Sequence, residues 1–398
     1  MQCVDIIVEN AHIVTLSLSG EITDGTLVIN KGNIIDIIEG DDYDYLSGTV
    51  IDAEGDMVLP GFIDCHTHLV HAGSRAKELY LRRSGVSYQE ILRRGGGIHS
   101  TVRATRAADI DVLYNESLRR AKLCLRHGTT TAEIKTGYGL EPAAEKKMFD
   151  VIRRLGMESG LETVPTFLGA HVYPEDRDPD SYLNWLLSDG ISLAQENAEF
   201  ADIYCDTGAY SLADTERYLR KAKENGLALK IHSGQFETVG ASGLAAELSA
   251  ISADHLDHVA PAEFDALLRS GTIPVFLPGC SYYMQYGYPD ARPYLDAGMP
   301  VALATDYNPG TYPSLSLPMI MSLAVMHMNF TPMEALRAIT LNAAGALKRE
   351  KRIGSLEKGK QADLIIVRAE EPDDLIGMFG CNLVQRVIKN GKLIVENT

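Results

Sequence analysis

The sequence predicts an α/β fold, a TIM-like (β/α)8 barrel carrying a small β-sandwich built from both termini. Three observations lead there. Strand-like and helix-like runs alternate about eight times through the middle of the chain. Both ends have the texture of β-hairpins instead. Residues able to ligate a metal stand where strand-like runs end, and active sites of such barrels lie at the C-terminal ends of the strands.

The expected division is residues 1–58 for the first part of the sandwich, 59–350 for the barrel and 351–398 for the second part. Asp5-Ile6-Ile7-Val8 and His12-Ile13-Val14-Thr15-Leu16 read as two strands separated by Glu9-Asn10-Ala11. Leu27-Val28-Ile29 and Ile34-Ile35-Asp36-Ile37-Ile38 flank a turn at Asn30-Lys31-Gly32-Asn33. The barrel strands are counted from Val58-Leu59. Arg103 to His127 reads as one long amphipathic helix stopped by Gly128, followed by the strand Thr129 to Ile134. A helix over Ala143 to Leu155 and a strand over Glu162 to Leu168 come next. Phe200 to Cys205 and the helical run Ser211 to Glu224 repeat the pattern. Leu227 to Ile231, Ala250 to Asp254, Ile273 to Leu277 and Val301 to Thr305 complete the strands. An open doubly wound sheet is the competing arrangement, but no Gly-x-Gly-x-x-Gly follows the first strand. At the C-terminal end, Ala362 to Val367 is a strand, and Asn390-Gly391 turns a hairpin between Arg386 to Lys389 and Lys392 to Val395.

The chain has 398 residues, 45% hydrophobic and 23% charged, the balance of an ordinary globular protein. Its formal net charge of -17 argues against nucleic acid or an anionic membrane as partner. Cys3, Cys65, Cys124, Cys205, Cys280 and Cys381 are scattered without a Cys-x-x-Cys pair and read as reduced thiols. No basic stretch precedes an apolar core at the N-terminus, and no apolar run is long enough to span a bilayer. A soluble cytoplasmic protein is expected.

Asp64-Cys65-His66-Thr67-His68 follows an apolar run. Side chains two apart on a strand point the same way, so His66 and His68 would present two imidazoles to one point. A lone His-x-His is a weak signal. His232 and Asp306, however, close two further strand-like runs. Taken singly, each of the four is an ordinary buried polar residue. Taken together, three imidazoles and one carboxylate suit one divalent metal ion, zinc or iron, with a position left for water. Such an ion would lower the pKa of that water towards ~7, and Asp306 could take its proton.

Other residues carry a weaker signal. His255 also ends a strand, and could polarise a carbonyl, shuttle a proton or stay bonded to backbone. His258 reads as surface. Arg75 follows the first histidine pair and could clamp a substrate carboxylate, or form a surface ion pair. Gly95-Gly96-Gly97 could admit close backbone approach or be a flexible turn. A carbamylated Lys135 could bridge two metals. Its acidic neighbour and the glycines after it fit a binding loop equally, and the site is read as mononuclear.

Several segments together resemble the amidohydrolase superfamily, and within it the imidazolonepropionase family of histidine degradation. They include Pro60 to His68, Gly95 to Thr105, Lys135 to Leu140, Thr166 to His171, Cys205 to Gly208, Ser252 to Leu256, Leu277 to Gly279 and Ala302 to Gly310. The resemblance implies one zinc or iron on His66, His68, His232 and Asp306. It implies that Arg75, Tyr138 and His171 hold the substrate, with Arg75 on its propionate, and that Asn308, Gly310 and Thr311 line the product side. The implied reaction is hydrolysis of 4-imidazolone-5-propanoate to N-formimidoyl-L-glutamate, with His255 helping to stabilise the oxyanion, and the implied assembly is a homodimer.

One departure stands out. The family usually carries an acidic residue two or three places after the third metal histidine, whereas this chain has His232-Ser233-Gly234-Gln235-Phe236-Glu237. Gln235 can hydrogen-bond a substrate ring but cannot act as a base. Proton transfer would then fall to Asp306 or His255, or Glu237 would have to reach in. Two other readings are a related cyclic amidohydrolase or deaminase acting on another acid-bearing ring, and a barrel that binds without catalysis.

Overall fold

The computed structural model describes residues 2–17, 22–86 and 88–397. Eight parallel strands follow one another in chain order: Phe62–Asp64, Thr129–Lys135, Glu162–Ala170, Phe200–Cys205, Ala228–Ser233, Ser252–His255, Ile273–Phe276 and Ala302–Leu303. Each is hydrogen-bonded in parallel to the next. The ring is joined beyond the strand ends, where Thr67 bridges Tyr307. There His68 N donates to Tyr307 O at 2.8 Å and Asp306 N donates to His66 O at 3.0 Å. Below that bridge Asp64 accepts from Thr305 N at 3.1 Å and Thr305 Oγ1 at 2.6 Å. The predicted barrel is thus the observed one.

Three local readings are corrected. The run counted as the first barrel strand divides at Gly61. Met57–Pro60 pairs antiparallel with Leu364–Val367 in the terminal sheet, and only Phe62–Asp64 enters the barrel. A Cβ on Gly61 would lie 2.4 Å from Thr130 Cγ2, so glycine alone allows the chain to cross there. The single helix over Arg103 to His127 is two, Ile98–Ala107 and Ile110–Arg126. Ala108 and Asp109 between them are extended. The Lys147 ammonium, from the helix Pro142–Glu158, takes up the carbonyls of Thr105, Arg106 and Ala108 at 2.9, 2.9 and 2.7 Å. Those are the orphan acceptors of a helix end, so a distant side chain stabilises the break. The two N-terminal strands are one strand, Ile6–Val14, whose register against Ile22–Asn30 shifts between Val8 and Ala11, with Asn10 at φ 52°. The separating residues form a bulge rather than a turn.

The terminal strands form an eight-stranded sheet in which Lys392–Glu396, Val384–Lys389, Leu364–Val367, Met57–Pro60, Ile6–Val14, Ile22–Asn30 and Asn33–Glu39 are neighbours in that order. Val50–Asp52 adds parallel to Ile6–Val14. One face of it encloses its own apolar cluster, with Val8, Ile13, Leu27, Ile366 and Ile388 fully buried. The other face carries Ile7 and Val28 against Val4 and Tyr45, which come from the two-stranded pair Gln2–Val4 and Tyr45–Ser47. Both predicted hairpins are present, and Asn390 and Gly391 take the left-handed angles, φ 48° and 67°, of a tight two-residue turn. Among the described residues no helix is long and apolar enough to cross a membrane.

Sheet and barrel meet at a half-buried ionic cluster. Glu162, at the start of the third barrel strand, takes Lys389 Nζ at 2.9 Å and the Arg352 guanidinium, and Lys389 also meets Asp363 at 2.5 Å. Burial pushes the Glu162 carboxyl up, but Lys389 and Arg352 outweigh it and hold it at about 2, against an ordinary 4.5. The folded value is depressed. Its stabilisation is therefore complete above about pH 4.5 and is lost as pH falls towards 2. Glu162→Gln is expected to lower unfolding free energy by about 2 kcal/mol at pH 7 and by much less near pH 3. Urea denaturation at the two pH values checks this, and an equal loss at both would exclude the ionic account.

Candidate active site

The site sits where the strand ends converge. Two-residue spacing along the strands puts Glu133 with Lys135, Asp202 with Tyr204, Lys230 with His232 and Ser252 with Asp254 on one face each. Strand register sets Tyr204 beside His232 and His232 beside Asp254. His66 and His68 come from the loop after the first strand and Asp306 from the loop after the last, so the Thr67–Tyr307 bridge brings them together. His66 Nε2 and His68 Nε2 lie 3.6 and 3.5 Å from Asp306 Oδ1. The rings of His66 and His232 are 4.5 Å apart, and His255 is 5.4 Å from His232.

This donor set fits a divalent cation. The ligand atoms of His66, His68 and Asp306 lie within 4.8 Å of one another, as do those of His66, His232 and His255. All are buried. The Nε2 atoms of His66 and His232 have no hydrogen-bond partner among the described residues. Buried imidazole nitrogens left without partners cost free energy unless something else occupies them. Burial, with neighbouring positive groups, holds His66 and His68 well below the usual imidazole range, so both are neutral, as ligands must be. Burial pushes the Asp306 carboxyl up to about 7, against the pull of His232. Asp306 and His255 adopt left-handed backbone angles, φ 49° and 83°, which cost roughly 1–3 kcal/mol each in non-glycine residues.

Beneath these side chains lies a buried charge network. Lys135 Nζ is 2.7 Å from Asp202 and 3.1 Å from Glu133, and Lys230 Nζ is 3.1 Å from Glu133. Burial disfavours the Lys135 ammonium, but Asp202, Glu133 and Asp254 outweigh it and hold its pKa above the ordinary lysine value. Lys135 is a paired cation here, which accords with a mononuclear site. Sequence reading gave Asp202, Asp254 and Lys230 no role and read Glu133 only as an acidic neighbour that fits a binding loop, whereas it lies in the buried strand Thr129–Lys135. The signal was present in Ala201-Asp202-Ile203 and Leu229-Lys230-Ile231, since a charge inside a buried strand demands a partner.

A cavity of about 650 Å³ opens over the cluster. His68, Arg75, Tyr138, His171, His232, Gln235, His255, Asp306, Asn308 and Thr311 all line it. His66 and Gly310 do not. His66 lies below it, and Gly310 serves the wall from behind. A Cβ on Gly310 would come 2.2 Å from Arg75 Nη1, so the guanidinium rests on the bare glycine. Glu78 holds the other side of Arg75 at 3.0 Å and also accepts from Gly97 N at 2.8 Å. Of the Gly95-Gly96-Gly97 run, Gly97 therefore braces the arginine through Glu78. Asn308 spends both ends of its amide on the loop, accepting from Gly310 N and Thr311 N at 2.8 Å each and donating to Asp306 O at 2.8 Å. His171 Nδ1 faces Gly137 O at 3.2 Å, and its ring stacks on His68 at 5.0 Å. Arg82, which the sequence reading passed over, lines the wall and donates to Gly310 O at 3.2 Å.

The departure after His232 has a structural cause. Gly234 has φ 64°, and a Cβ there would lie 2.3 Å from the carbonyl oxygen of His258, which accounts for glycine at this place. Gln235 accepts from Tyr204 Oη at 2.9 Å and turns its amide nitrogen to Cys280 Sγ at 3.4 Å. Glu237 is exposed, accepts from Thr207 Oγ1 at 2.6 Å and does not reach the cavity. His258 is at the surface, as expected.

Residues 57–394 match the amidohydrolase family. An imidazolonepropionase of Geobacillus kaustophilus is 43% identical over 388 residues, covering 95% of this chain and 92% of the relative. The chain belongs to the imidazolonepropionase family of amidohydrolases. An imidazolonepropionase of Alkaliphilus metalliredigens is likewise 43% identical, over 87% of this chain and 83% of the relative. Solved structures share the fold at lower identity. A Xaa-Pro dipeptidase matches with a TM-score of 0.75 at 16% identity, over 98% of this chain and all of that one (100%). A zinc-bound adenosine deaminase from Xanthomonas campestris matches at 0.72 and 18% identity, over 98% and 93%.

For this imidazolonepropionase-family barrel, the metal-free protein is expected to melt higher when zinc is added. At a free concentration about 1,000 times Kd the gain is about 4 kcal/mol. His232→Ala is expected to remove most of that increment. Thermal melts with and without zinc decide it, and an undiminished zinc shift in the variant would take His232 out of the ligand set.

Proposed function

We propose that the protein hydrolyses the cyclic amide C–N bond of 4-imidazolone-5-propanoate, giving N-formimidoyl-L-glutamate in histidine degradation. The observation that carries this reading is a single cavity that holds the His/Asp cluster and the Arg75 guanidinium together. A planar ring with a carboxylate tail needs both ends of such a site. Family membership over nearly the whole chain supports the same substrate.

His66, His68, His232 and Asp306 would hold one zinc or iron. Such an ion acidifies water and polarises a carbonyl oxygen when bound. The chain's own residues supply the rest. Arg75, fixed between Glu78 and Gly310, meets the propionate. Tyr138 and His171 hold the ring from the walls. Asp306 is the only carboxylate lining the cavity among the described residues, so it is the base that takes the proton from the attacking water. The same proton then goes to the ring nitrogen that leaves as the C–N bond breaks. His255, whose burial keeps it neutral, offers a ring N–H to the carbonyl oxygen as negative charge develops there. Gln235 donates its amide to the ring and takes no proton. Asn308, Gly310 and Thr311 shape the loop on the product side. The same reading takes the protein as a cytoplasmic homodimer.

The deciding experiment follows loss of the ultraviolet absorbance of freshly generated 4-imidazolone-5-propanoate, with and without a chelator. Chelator-sensitive turnover is expected, and metal-replete protein without turnover would reject the substrate. Asp306→Asn is expected to lower kcat by at least about 10³-fold. Arg75→Met and Gly310→Ala are both expected to raise KM about tenfold or more with smaller changes in kcat, because each removes the guanidinium from its place. An unchanged KM in either would detach the arginine from the carboxylate. Gln235→Ala is expected to lose activity with metal content unchanged, and an unaltered rate would deny Gln235 a part in binding the ring.

A further inference from the structure

Two histidines of the metal set face two different acids, and both acids share one lysine. His66 Nδ1 lies 2.7 Å from Asp254 Oδ2, and His232 Nδ1 lies 3.0 Å from Asp202 Oδ2. Lys135 Nζ lies 2.7 Å from that Asp202 oxygen and 3.6 Å from that Asp254 oxygen. The side chains of Lys135, Asp202, Asp254 and His66 are 0% exposed, and that of His232 is 3% exposed. Bulk solvent therefore does not compete with these contacts.

A carboxylate accepts hydrogen bonds and donates none, so an imidazole that faces one carries its proton on Nδ1. Its Nε2 lone pair then points away. The Nε2 atoms of both His66 and His232 are the ones without hydrogen-bond partners among the described residues. Charge balance alone does not explain the lysine's place. Lys230 stands 3.1 Å from Glu133, which Lys135 also meets at 3.1 Å, whereas among the described residues only Lys135 pairs with both Asp202 and Asp254. The backbone ties it to the ligands too, since Lys135 N donates at 2.9 Å to the carbonyl of Thr67, the residue between His66 and His68.

We propose that Lys135 is a positioning residue that sets two histidine tautomers at once. Its ammonium fixes Asp202 and Asp254, and through them it aims His232 and His66 at one cation. The metal half of this rests on the reading of His66 and His232 as ligands. The tautomer half does not, because it is read in metal-free protein.

The test uses full-length protein labelled with ¹⁵N-histidine and stripped of metal, with ring signals assigned by single His→Gln variants. Long-range ¹H–¹⁵N spectra are expected to show His66 and His232 both protonated on Nδ1. The double variant K135M/E133Q removes one cation and one anion, so the net charge of the buried group is unchanged. In it both histidines are expected to lose the exclusive Nδ1–H form, and zinc Kd is expected to rise roughly 10–100-fold. D202N, which keeps the lysine, is expected to release His232 and leave His66 held. An Nε2–H form of either histidine in the native metal-free protein overturns the proposal. So does a folded K135M/E133Q protein with native tautomers and native zinc affinity, or a D202N protein in which His232 is unmoved. Native tautomers in a protein that fails to hydrolyse the imidazolone would reject the proposed substrate and leave this coupling intact.

Discussion

The site depends on how the barrel closes. Phe62–Asp64 and Ala302–Leu303 are short strands, and what joins them is the Thr67–Tyr307 bridge with Asp64 held by Thr305. These bonds place the His-x-His loop beside Asp306. Without that seam nothing would bring Asp306 to the two histidines, which precede it by about 240 residues in sequence. The same backbone bonds twist Asp306 to a left-handed angle, and the strain is carried because both flanking residues are fixed.

Below the seam the barrel interior is charged where most barrels are aliphatic. Glu133, Lys135, Asp202, Lys230 and Asp254 are all fully buried. Desolvating such groups costs several kcal/mol per ion, and only close pairing offsets it. Burial and pairing oppose each other visibly at Asp202. Burial pushes its carboxyl up, yet His232 and Lys135 hold it well below the usual range. A network of this kind adds little net stability. What it gives is direction, since each member has few alternative partners.

Shape, rather than charge, decides three other positions. Three glycines are fixed by contacts far along the chain: Gly61 by Thr130, Gly234 by the His258 carbonyl and Gly310 by the Arg75 guanidinium. In each case the neighbour occupies the volume a Cβ would take. The glycine at 234 and the amide at 235 thus belong to one local solution. The backbone excludes a side chain at the first place, and Tyr204 and Cys280 orient the second. That leaves Asp306 as the acid in the cavity.

The strand–helix alternation, the hairpin turns and the candidate ligands near strand ends were legible in the sequence, because period and turn chemistry are local properties. His66, His68, His232 and Asp306 were singled out as candidates that way, and the structure gathers them, although only His232 stands on a strand and the other three lie in loops just past one. The sequence could not show that Gly61 divides a run between two sheets, or that Lys147 ends a helix at Ala107. It could not show that Glu237 stays outside, nor that Lys135 serves two acids. Each of these is decided by a residue from another element. Sequence periodicity tells which way a side chain faces, and only the closed barrel tells what it faces.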